Sequence, residues 1–275
     1  MSGLDYRPVR LPMYDWPEVR AETRELEAFL TDALCAALLI APSGLSPWPD
    51  DLPVYGIWTD PGLLVAQTCG YPLTHALADK VTLLGAPHYD ALGCEGSSYC
   101  SHLVVAERSG HQKLSDLRGT TAAFNNLDSQ SGMNALRHMI APLANGEGFF
   151  GKVIESRGHL ASMAAVAGGT ADIAAIDAVC WQLAKQELPD LAQRLRSIGI
   201  SRKVPNLPFI SSCRHDDITQ VKIRAVITDV LSDPQTQKSR ERLRICGFSK
   251  LGPADYAPIL EMENEAKELG YPKLG

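Results

Sequence analysis

Several features that would assign a function at a glance are missing from this sequence. No stretch approaches the 18 or so uninterrupted apolar residues of a membrane span; the longest, Ala33 to Ala41, has nine and ends at Pro42. No Walker A loop or dinucleotide fingerprint is present, and the GEG at 146 to 148 reads as a turn. The seven cysteines (35, 69, 94, 100, 180, 213 and 246) form an odd set without a C-x-x-C pair, which supports neither a disulfide framework nor a zinc site and suits reduced thiols. No Lys/Arg-rich block occurs and the formal net charge is −6, which argues against nucleic acid or an anionic membrane as partner. The opening MSGLDYRPVRLPMYD carries neither a basic n-region nor an apolar h-region, so the expected location is the cytoplasm, or the periplasm if a leader was removed. No solenoid-period repeat or low-complexity tract is found, and no metal, cofactor or catalytic residue is expected.

What is present is an ordinary globular composition, 45% apolar and 21% charged over 275 residues, enough for one large domain or two lobes. Strand-like and helix-like runs alternate, which predicts an α/β architecture with mostly parallel sheets. The expected strands are Val9 to Met13, Leu63 to Gln67, Val81 to Leu84, His102 to Ala106, Thr120 to Phe124, Lys152 to Glu155, Asp172 to Ile176 and Leu195 to Ile200. The expected helices include Trp16 to Leu39, Pro72 to Ala78, Leu160 to Ala167, Ala178 to Gln186 and a helical tail from Asp217 to Gly270, with turns over Gly85 to Ser98.

The polar oddities fall at carboxyl ends of the expected strands, the edge where open α/β sheets bind ligands. Tyr14, Thr68 to Tyr71, Asp128 to Gly132, His159 and Asp177 all do so. The fullest case is FNNLDSQSGMNALR, residues 124 to 137, where a polar turn separates a strand from an amphipathic helix. Unpaired N–H groups and partial positive charge at a helix start make Ser129, Gln130, Ser131 and Gly132 a compact donor set for an anion. Ordinary capping by Asp128 or Ser129 explains the same letters. His159 can likewise cap the helix at Leu160, Asp177 the helix at Ala178, and Tyr71 and Tyr99 can be packing residues. Arg137 reads as a solvated helix-face residue.

Three stretches resemble one family: DLRGTTAAFNNLDSQSGMNALR, SRGHLASMAAVAGGTADIAAID and SSYCSHLVV are similar to the anion loop, the His-containing helix segment and the crossover strand of the phosphate, phosphite and phosphonate substrate-binding proteins of ABC transporters. The similarity covers roughly Leu63 to Phe209. It implies a two-lobed type 2 periplasmic-binding-protein fold with a ligand cleft between lobes, lobe one from residues 1–97 and 212–275 and lobe two from 98–211. It also implies that Ser129, Ser131 and Gly132 hold the oxyanion, with Gln130 in the variable middle position. Tyr99 and His159 would be further donors, and Asp177 would face the ligand's organic tail; Tyr71 and Tyr14 complete the candidate set. This chain departs from the pattern at Arg157-Gly158, where the family has Gly-Ser before its His.

The function these features imply is non-catalytic binding of a small phosphate- or phosphonate-like oxyanion, with an ABC permease or an occupancy-reading protein as partner. The competing readings are an enzyme on the same fold using His159 and Asp177 as acid/base groups, and a cytosolic ligand sensor.

Overall fold

A computed structural model describes residues 5–275. The chain divides into two compact units. The first runs to Asp90 and takes in Pro205–Asp255; the second is Ala91–Val204 with Tyr256–Gly275. Residues 1–4, the start of the expected first lobe, lie outside the described residues.

In the first unit the long helix Arg20–Leu38 buries Thr23, Leu26, Glu27, Leu30, Thr31 and Leu34. That three- and four-residue spacing defines one face, which packs on helices Asp217–Val230 and Gln237–Arg242. Left-handed Leu39 ends the helix. The sheet runs Ala66–Gln67, Phe209–Ser212, Val81–Tyr89, Ile245–Ser249, and every pair is antiparallel. The expectation of mostly parallel sheets therefore fails here, because Phe209–Ser212 returns from the other unit instead of through a helical crossover. Val81–Tyr89 is also five residues longer than expected. Gly85, at φ +149°, carries the strand through a stretch that reads as a turn, opposite the irregular register at Phe209/Ile210.

The second unit holds a five-stranded sheet in the order Lys152–Glu155, Thr121–Phe124, Ile173–Asp177, Ser101–Ala106, Leu195–Ile200. The first three strands are parallel and the remaining pairings antiparallel. Its core joins Leu103, Val105, Ala122, Leu136, Ile140, Phe149 and Ile173 with Ala266 and Tyr271. Those last two correct the expected domain boundaries: the helix Ala257–Glu268 and the tail belong to the second unit. The reason is packing, since Ile259, Met262 and Ala266 are fully buried and this helix lies against Ala135–Ala144. Among the described residues, no helix is long and apolar enough to cross a membrane.

Candidate functional site

Three pieces of the second unit converge at one sheet edge. The strand Thr121–Phe124 ends at Asn125; the turn Gln130–Asn134 follows; and the loop Ser156–Gly158 leads into the helix His159–Ala167. Ser156 fixes that loop by donating its N–H to the Phe124 carbonyl at 2.8 Å, and its hydroxyl lies 2.6 Å from that of Ser162. The Arg157 N–H donates to the Asn125 carbonyl at 2.8 Å, and Arg157 adopts the left-handed region at φ +69°.

The serine turn is a π turn, a wide and uncommon geometry found often at functional sites. Asn134 N–H donates to the Ser129 carbonyl at 3.0 Å to close it. Ser129 is its cap: Oγ accepts from Gly132 N–H at 3.0 Å. The capping account is thus right for Ser129, and the Gly132 N–H expected to face an oxyanion is already engaged. Gln130 is turned inward, its Oε1 accepting from Asn134 at 2.6 Å and its Nε2 lying 3.5 Å from Met262 sulfur.

Ser131 is different. Its Oγ lies 2.8 Å from His159 Nε2. His159 is the first residue of its helix, whose cap is Gly158, so it is no capping residue. Burial pushes the imidazole down to about 4, so the ring is neutral at pH 7. A neutral ring carries one proton, and Nδ1 is sealed from solvent without a partner. The roles in this contact follow the tautomer: with the proton on Nε2, the arrangement that leaves no buried N–H unpaired, the ring donates to Ser131 Oγ. The Ser131 hydroxyl proton is then free to donate to an anion.

Sequence reasoning missed Asn125, although it too follows a strand. Its Oδ1 is buried and unpartnered, and a Cβ built on Gly132 would sit 1.9 Å from it. Glycine at 132 is what lets the two segments meet.

The strand Ile173–Asp177 also packs against the serine turn, and each of the other expected residues has partners of its own. Asp177, 1% exposed, caps Ala178–Glu187 by accepting from Val179 N–H at 2.7 Å and Cys180 N–H at 3.2 Å. Burial first, and then the Asp177 charge, push the Cys180 thiol well above its ordinary value, and Cys100 is raised in the same way. Such thiols are poor nucleophiles. Tyr99 is buried at the strand Ser98–Tyr99. Tyr14 and Tyr71 lie in the first unit: Tyr14 meets Tyr89 edge-on at 5.4 Å, and Tyr71 stacks on His75 at 3.9 Å. Arg137 is not solvated but buried, bonded to the Pro272 carbonyl at 2.9 Å. All seven cysteines are free thiols. No group of three or more His, Cys, Asp or Glu side chains able to hold a metal ion occurs among the described residues.

The fold has solved relatives. A binding protein component of an ABC phosphonate transporter from Pseudomonas aeruginosa is similar at TM-score 0.75 and 15% identity, over 96% of this chain and 87% of that one. PhnD1 from Prochlorococcus marinus in complex with methylphosphonate is similar at TM-score 0.73 and 14% identity, over 96% and 98%. A Xanthomonas citri protein bound to chloride ion gives 0.70 and 16%, over 96% and 98%. These likenesses establish a type 2 periplasmic-binding-protein fold. The family model described as ABC transporter, phosphonate, periplasmic substrate-binding protein matches residues 65–256, and the chain belongs to that family. No curated protein matches it.

Proposed function

We propose that this protein is a non-catalytic receptor for a small phosphonate- or phosphate-like oxyanion, bound by the Ser131 hydroxyl with the neutral His159 holding that hydroxyl in its donating orientation. The observation that carries the reading is the 2.8 Å Ser131–His159 contact at the start of the serine turn. The Ser129 hydroxyl, which accepts from Gly132, keeps its own proton as a second donor. Tyr99 and Asp177 belong to the proposal only as neighbours for the organic tail. The partner would be an ABC permease, the family's ordinary recipient, or a protein that reads occupancy.

A second reading rests on the same contact, because a Ser–His pair is also the core of an activated nucleophile. Asp177, the expected acid/base companion, is occupied as a helix cap, which weighs against that reading. Seven free thiols fit a reducing compartment, whereas the family is periplasmic, so fractionation of the native source decides the location.

The test is a thermal-shift panel. Methylphosphonate, phosphite, phosphate and an aminoalkylphosphonate should raise the melting temperature while neutral sugars do not, since a ligand that binds only the native state stabilises it by mass action. Recovery of the bound ligand unchanged by phosphorus NMR supports the receptor; its conversion supports the enzyme. A panel answered only by non-anionic ligands would sink the oxyanion reading.

A further inference from the structure

The helix Ala257–Glu268 begins just beyond the matched residues 65–256, yet it is where the serine turn finds its buried polar partners. A π turn forgoes the compact hydrogen bonding of an α turn and has to be held by its surroundings. Here the holding runs through one connected set. Asn134 donates through Nδ2 both to Gln130 Oε1 at 2.6 Å and to the Ile259 carbonyl at 3.1 Å. Its Oδ1 accepts from Arg137 Nη2 at 2.5 Å. Arg137 Nη1 donates to the Pro272 carbonyl at 2.9 Å, and the Glu263 carboxylate lies 3.6 Å from Nη2. Lys267 pairs with the same carboxylate at 3.0 Å.

The bonds from Asn134 to Gln130 and from Arg137 to Asn134 bring the three side chains together on one side of the turn and the helix that follows it. That side meets Ile259, Met262 and Glu263 of the C-terminal helix. Asn134 is wholly buried, Gln130 is 1% exposed and Arg137 4%. Groups this deep are mutually dependent, because losing one leaves its partner desolvated and unpaired. With Gln130 anchored inward, its neighbour Ser131 is fixed toward His159.

We infer that Asn134, Arg137 and Glu263 are positioning residues through which the C-terminal helix holds the Ser129–Gly132 donors in place. Affinity at Ser131 is thus set in part by a segment that need not touch the ligand. The inference rests on the oxyanion reading for its functional consequence and on the unliganded protein for its structural one.

The test uses the full chain in three forms: wild type, Asn134→Asp and Glu263→Gln. Asn134→Asp keeps the acceptor for Arg137 but sets an oxygen against Gln130 Oε1 and the Ile259 carbonyl. Glu263→Gln is the milder change, removing the charge shared by Arg137 and Lys267 while keeping the side chain's size. Hydrogen exchange is read in the unliganded protein at the bonded amides of Gly132, Asn134 and Ala135, with the strand Thr121–Phe124 as internal reference. The expected result for Asn134→Asp is exchange at the turn faster by about tenfold relative to the strand, with methylphosphonate affinity down by about tenfold. For Glu263→Gln both effects should be about two- to threefold. Turn and strand amides quickening together would show general loosening and overturn the inference. So would wild-type exchange at the turn in either folded variant, and Glu263→Gln alone decides if Asn134→Asp does not fold. If wild-type protein takes up no oxyanion, the binding proposal fails, while the exchange ratio still judges the positioning.

Discussion

Acid should destabilise this protein through His159 in a window that the structure defines. Burial lowers the imidazole from 6.5 to about 4 in the folded state. Between those values the unfolded chain binds a proton that the folded chain does not, so stability falls as pH drops through 6.5 and levels off below about 4. At 1.36 kcal/mol per unit, the full loss is about 3 kcal/mol and the loss at pH 5 about 2 kcal/mol. Carboxylates and other histidines titrate in the same range, and His88 and His102 are also lowered by burial. The assay therefore compares urea unfolding of wild type with His159→Gln at pH 7.5, 6.0, 5.0 and 4.5. Glutamine keeps an N–H near Ser131 but cannot be charged. The stability difference should shrink by about 2 kcal/mol between pH 7.5 and 5.0, with the wild type losing more. Parallel curves for the two proteins would refute the lowered titration of the half-buried His159 ring, and with it the desolvated Ser131–His159 pair.

Other substitutions probe the same geometry. Gly132→Ala forces a Cβ to within 1.9 Å of Asn125 Oδ1, so roughly 1–3 kcal/mol of stability should be lost by urea unfolding, with weaker oxyanion binding by calorimetry. Asp177→Ala removes a cap that serves two amides and should cost roughly 0.5–2 kcal/mol, while affinity for methylphosphonate, which has no tail for Asp177 to face, stays at the wild-type value. In native protein a thiol reagent should label exposed Cys213 first and Cys246 more slowly, the latter being raised by burial. Buried Cys69, Cys100 and Cys180 should react only on unfolding, as mass mapping of labelled peptides would show.

The parts of the fold legible in the sequence are those whose signal is local. Thr121–Phe124, Lys152–Glu155 and Leu195–Ile200 are short apolar or alternating runs between turn residues, and they are strands within a residue of the expected limits. His159–Ala167 is closed by Gly168-Gly169 as its letters suggest. What was not legible depends on distant partners. Ile245–Ser249 is a five-residue strand embedded in a charged, helix-like tail, and only its pairing with Val81–Tyr89 reveals it. The π turn leaves the apolar spacing of the following helix unchanged, so periodicity cannot show it. Arg137 looks like any helix-surface arginine until Pro272, 135 residues away, supplies its acceptor. Of the candidate site, the Ser131–His159 pair was visible as two strand-end residues, while Asn125 needed the close approach to Gly132.

The most direct measurement of the central claim is calorimetric titration of methylphosphonate into wild-type and Ser131→Ala protein at one pH and salt concentration. A hydrogen bond to an ionised oxyanion contributes roughly 1.5–3 kcal/mol, so removing the Ser131 hydroxyl should weaken binding by about ten- to a hundredfold. Folding stability should change little by comparison. Equal affinity in the two proteins, or no binding by either while other phosphonates and phosphate are also refused, would contradict the account.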